Sequence, residues 1–167
     1  GKDDTFTPGK KYNEAISVKN SGTIDTFVRV IITKSWQDKE GKKNTTLSPD
    51  LIELNFLTDN GWQIANAQST KERTVLYYTK AVAAGDTTPA LSDTLRINPS
   101  IASDVTKHVT ESEKGKSITY TYKYNGYTFH IDAEVDAVQT HNAKDAIKSA
   151  WGVDINVSDD ETTMSLQ

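Results

Sequence analysis

The run Thr26-Phe27-Val28-Arg29-Val30-Ile31-Ile32-Thr33-Lys34-Ser35-Trp36 constrains this chain more than any other stretch. Val, Ile and Thr dominate it, polar residues alternate with apolar ones through much of it, and no Gly or Pro interrupts it. That is the pattern of a half-buried β-strand. A second strand-like run, residues 12–18, precedes it. Pro8-Gly9 opens that run and Asn20-Ser21-Gly22 closes it, because these residues take turn dihedrals at low cost. Two such runs joined by a turn make the front edge of an all-β sandwich.

The rest of the chain continues the pattern. Gln37 to Asn44 is a polar hairpin loop; its acidic residues lack the ligand spacing of a calcium loop. Ser48-Pro49-Asp50 leads into a short strand at 51–56, with Ile52, Leu54 and Phe56 on one face. Asp59-Asn60-Gly61 turns the chain into Trp62-Gln63-Ile64. Residues 72–80 form a strong strand, 84–89 a loop, and 91–97 a strand stopped by Asn98-Pro99. Residues 100–116 are polar without a clear period and read as a loop or short frayed elements. Ile118, Tyr120, Tyr122 and Tyr124 then alternate with polar residues, and Asn125-Gly126 joins them to the run beginning at Tyr127, the signature of a two-residue type I′ hairpin. One helix breaks the pattern. Asn142 is its N-cap, Asp145 lies near the positive end of its dipole, and Ala143, Ala146, Ile147, Ala150 and Trp151 fall on one face before the Gly152 stop. Val153, Ile155 and Val157 alternate as a last strand. The fold class expected is mainly β: a jelly-roll-like antiparallel β-sandwich over residues 1–157 with one short helix near the C-terminus, followed by a loose polar tail, 158–167.

A chain of 167 residues suits one domain with a core of useful size. Its net charge of −4 gives no drive toward nucleic acid, so none is expected as a specific ligand. There is no cysteine, which removes thiol catalysis, disulfides and cysteine metal sites and fits the cytosol or a bacterial exterior. No stretch is long and apolar enough for a membrane helix. The opening Gly1-Lys2-Asp3-Asp4 has the look of a processed start.

Catalytic chemistry is hard to find. No two of His108, His130 and His141 have the i, i+4 spacing of a helical zinc pair, and there is no nucleophile elbow or phosphate loop. His130 and His141 flank the acidic strand Asp132, Glu134, Asp136, which makes a His–carboxylate site conceivable, although such residues usually face water. The expectation is no catalytic residue, no metal and no cofactor. Trp36, Trp62, Trp151 and the tyrosines of 118–127 either fill or rim the core or form a sugar-stacking platform. Lys34 shares a face with Val28, Val30, Ile32 and Trp36. It either reaches water from the strand end or is buried and neutralised. In the sharper reading it is a deprotonated nucleophile for an isopeptide crosslink, with Lys19 and Lys80 as further donors and Asp136 and Asn142 as acceptors.

Residues 12–36, with their Pro-Gly, Asn-x-Gly and Val-Arg-Val elements, and the stretch Glu134-Val135-Asp136-Ala137-Val138-Gln139-Thr140-His141-Asn142-Ala143 through Ala150-Trp151-Gly152 resemble the camelysin- and TasA-related exported proteins of Gram-positive bacteria. The likeness is greatest to the clostridial alternate-signal exported group that includes BsaA, a pilus-like biofilm fibre subunit, and it spans residues 7–157. The resemblance implies a jelly-roll-like sandwich, export, and a structural subunit of an extracellular biofilm-matrix fibre on or near a Gram-positive cell surface. Subunits would assemble head to tail by donor-strand complementation, with no membrane insertion of the mature chain; their partners would be other subunits and matrix components. It also implies a strand before the Pro-Gly turn, where this chain has residues 1–6. An incoming strand would enter a groove lined by Val28, Val30, Ile32, Phe129, Ile131 and Val135. The alternatives are a camelysin-like surface metalloprotease, for which no motif carries over, and a carbohydrate-binding module.

Overall fold

The computed structural model describes residues 5–6, 9–38, 40–44, 47–99, 105–111, 117–124 and 127–167. Along the chain lie β1 (Thr5–Phe6), β2 (Tyr12–Ile16), β3 (Thr26–Gln37), β4 (Lys43–Asn44), β5 (Ile52–Phe56), β6 (Trp62–Ile64), β7 (Arg73–Tyr78), β8 (Ser92–Ile97), β9 (Val105–Glu111), β10 (Ser117–Tyr124), β11 (Tyr127–Gln139), α1 (Ala143–Trp151), β12 (Ile155–Val157) and β13 (Met164–Leu166). The large sheet runs β1-β9-β10-β11-β3-β7-β6, with β4 on the end of β3; a smaller sheet runs β2-β8-β5, and β12 and β13 form a hairpin. Every pairing is antiparallel. The molecule is a mainly β, antiparallel sandwich with one helix near the C-terminus, as its periodicity predicts.

The strand at 26–37 is central rather than an edge. It pairs with β11 along its whole length, from Thr26↔Gln139 to Gln37↔Thr128, and with β7 on its other side. Its two faces are covered by different things. Val28, Val30, Ile32 and Trp36 face the small sheet, in one core with Ile52, Leu95, Ile97, Phe129 and Ile131. Phe27 and Ile31 face the opposite way, in a second core with Tyr77, Ile147, Ile155 and Met164, roofed by α1 and the β12–β13 hairpin. The half-buried pattern is therefore completed into burial on both faces through most of the strand. The run at 12–16 does not pair with it but joins the other sheet, beside β8. Asn20 sets this crossing: its side-chain amide donates to the carbonyls of Ile24 and Val82, and its Oδ1 accepts from Gly22 N–H.

Three local expectations change. Residues 105–111, expected as loop or frayed, form β9, because Val105, Thr106, Val109 and Thr110 suit a strand once β10 supplies the pairing. Asn142 does not cap with its side chain; it sits in the left-handed region at φ 54° and its main-chain carbonyl accepts from Ala146. The helix ends as expected at left-handed Gly152, whose N–H bonds Lys148 O. The tail is not loose. Ser158 and Asp160 satisfy the turn at Thr162 and Thr163, the Asp160 carboxyl held below its usual pKa by the Ser158 and Thr162 hydrogen bonds. Met164 then enters the second core, buried, and its N–H bonds Thr79 O. The β10–β11 hairpin pairs Tyr124 with Tyr127; the Asn125-Gly126 turn itself lies outside the described residues.

Candidate functional site

Lys34 is buried, with 8% of its surface exposed. The strand pleat puts it on the inner face between Ile32 and Trp36, and its ammonium donates to Ile52 O at 2.8 Å. Burial pushes its pKa below the ordinary lysine value, while Asp50 and Glu53 pull it back upward. The candidate acceptors are elsewhere. Asp136 stands opposite Arg29 in the register, whereas Lys34 stands opposite Ile131. Residues directly opposite share a face, so Lys34 and Asp136 lie on opposite faces of the sheet. Asp136 Oδ2 instead accepts from Arg29 Nη2 at 2.6 Å and Nε at 3.1 Å. Asn142 is exposed at the helix start. Lys19 and Lys80 are exposed in isolated bridges with Thr87 and Thr163. None of these candidates is hydrogen-bonded or ion-paired to another, and Lys34 is buried.

The expected groove is also absent, for a definite reason. Its two walls, β3 and β11, are hydrogen-bonded neighbours, leaving no room for a strand between them. Val28, Val30, Ile32, Phe129 and Ile131 are already buried under the small sheet, with Val135 packed at the margin. The open ladder positions lie at the edges. The first strand, β1, pairs with β9 only at Thr5↔Thr106 and Phe6↔Val105, although β9 continues to Glu111. Among the described residues no strand covers Lys107 to Glu111 on that side. Sequence reasoning missed this edge because it read 100–116 as loop; the β-branched pairs at 105–106 and 109–110 were the available signal.

The remaining candidates are structural. Nine positions of β11 separate His130 from His141, about 30 Å at the rise of a strand, so they form no joint site. Burial lowers the His130 pKa, opposed by Asp132. His141 lies 3.4 Å from Glu161 at the surface. No group of three His, Asp or Glu side chains among the described residues is placed to hold a metal. Trp36 and Trp62 are core residues whose indole N–H groups donate to the carbonyls of Ser48 and Pro89. Trp151 packs against Tyr77 and carries the Arg29 guanidinium 5.0 Å from its ring. None of the three tryptophans forms an open stacking platform. No helix among the described residues is long and apolar enough to cross a membrane. We find no matching protein-family model, curated protein or solved structure.

Proposed function

We propose that this chain is a structural subunit of an extracellular fibre, of the biofilm matrix or surface of a Gram-positive bacterium, and that subunits join by strand addition at the β1–β9 edge. The supporting observation is the mismatch between the two strands. Among the described residues, β1 occupies two ladder positions beside a β9 of seven residues. Unpaired edge groups are a template for another strand. A strand from a neighbouring subunit would complete this ladder by main-chain hydrogen bonds, and a head-to-tail contact that does not close on itself yields a filament. The location differs from the sheet interior suggested by the family resemblance.

Negative-stain electron microscopy of the protein, beside a form lacking residues 1–6, tests the reading. Filaments are expected only where the N-terminal strand is present. Equal filaments from both forms, or none from either at high concentration, overturn it.

A further inference from the structure

At the other end of the large sheet, we infer that a trough beside β6 is a binding site for a neutral oligosaccharide. The trough has two parts that share lining residues. One, of about 410 Å³, lies between β6 with its following turn and the segments Val153-Asp154 and Leu166-Gln167. The other, of about 580 Å³, reaches Thr58, Gly61 and Thr79. Both are lined by Gln63, Ile64 and Asn66, so the trough runs past the edge strand. Each volume is within the usual range of small-molecule sites.

The chemistry of the lining selects the ligand. Antiparallel ladders alternate in the direction of their main-chain groups. Thr79 N–H bonds Gly61 O and Ala65 N–H bonds Val75 O; residues 61, 63 and 65 therefore point their groups at β7. Ile64 points its N–H and C=O outward, into the trough, and among the described residues neither has a hydrogen-bond partner. The side-chain amides of Gln63 and Asn66 likewise have none, and Gln68 uses only its Oε1, for the Tyr77 hydroxyl. The carboxylate here, Asp154, is already 3.2 Å from Lys148 Nζ. Val153 and Leu166 provide apolar wall. The site thus offers uncharged donors and acceptors in adjacent pairs over an apolar surface. Vicinal hydroxyls, each both donor and acceptor, match a main-chain N–H and C=O from one residue and the two ends of a planar amide. An anionic ligand would meet Asp154 without a free cation in the trough.

A peptide strand is the competing occupant, and local geometry disfavours it. β6 has three residues, and the chain turns away immediately into the helical turn at Asn66–Gln68. Trp62 N–H is directed at Asn60 Oδ1, at 3.5 Å. An added strand would find too few bonds to hold it, whereas a sugar needs only this short stretch. The inference does not depend on fibre assembly, which uses the opposite edge.

Amide chemical shifts of the intact protein, titrated with cellotriose, the N-acetylglucosamine trimer, trigalacturonic acid and an uncharged six-residue threonine–valine peptide, test it. At least one neutral trimer should give saturable shifts confined to residues 61–68, 153–154 and 166–167, and the uronate none. Gln63→Ala and Asn66→Ala, both exposed, should leave the spectrum otherwise intact and weaken binding about tenfold each. The inference is overturned if neither neutral trimer shifts these residues, if the peptide alone does so, or if both variants bind like the parent.

Discussion

The two faces of β3 each hold a cation, Lys34 buried and Arg29 partly buried, and they do it in opposite ways. On the inner face the Lys34 ammonium donates to a main-chain carbonyl, inside a mainly apolar core. On the outer face Arg29 is paired with Asp136 and lies over Trp151, tying strand, neighbouring strand and helix together. The inner core joins two sheets over many large side chains. The outer core is smaller; α1 enters it through Ala143 and Ile147, and the polar seam lies beside them. Apolar area supplies strength on both faces; the second adds a charged pair whose loss would leave Arg29 without its partner.

The largest test of this contrast is Trp36→Ala. Its ring packs edge-on against Phe129 at 5.0 Å, and its loss should destabilise the fold by about 3–5 kcal/mol in urea unfolding. A cost near that of a surface change would show that the inner core does not carry the fold. Asp136→Ala should rank second, at about 1–3 kcal/mol, because it strands the partly buried Arg29; loss of helical circular dichroism ahead of global unfolding would sharpen the point. Lys34→Met should change stability at neutral pH by only about 1 kcal/mol in either direction, since a buried charge is exchanged for apolar packing while Ile52 O loses its donor.

Titration gives a further check. With the folded pKa lowered, the unfolded chain binds the extra proton between the lowered value and the ordinary lysine value. The Lys34 contribution to stability therefore rises with pH through that window, and Lys34→Met should flatten it. His130 has the same sign at lower pH: stability falls as pH drops through about 6.5 toward its lowered folded value, and His130→Gln should remove that slope. The smallest effect is Lys148→Ala. Its pairing with Asp154 is more than half exposed, so denaturation should shift by no more than about 0.5 kcal/mol.

Local signals were readable where a segment decides its own conformation. β3, β5 to β8 and the helix stop at Gly152 follow from alternation, β-branching and turn residues. The pleat put Lys34 on the face of Val28, Val30, Ile32 and Trp36, but did not say whether it reached water or was buried, as it is. Partner choice was not readable. Nothing within 26–37 states that its neighbour is 128–139, so a cleft between those strands was expected where the two are bonded side by side. The 105–111 strand and the tail share this difficulty. Each is polar enough to read as coil, and each takes its form from a pairing partner, the next strand β10 in one case and the distant 79–81 segment in the other. The trough beside β6 also brings together residues 63–68, 153–154 and 166–167, which no linear motif links.

The pairing of β3 with β11 has a kinetic consequence. Its partners are about 100 residues apart along the chain, and non-local pairing of this kind slows folding. During synthesis the early strand emerges well before the one that completes its ladder. The large sheet can close only after residue 139 has been made, and until then the strand at 26–37 has only β7 and β4 to pair with. The β3 ladder stays open while the intervening residues are made, with an apolar, β-branched strand waiting for a late partner.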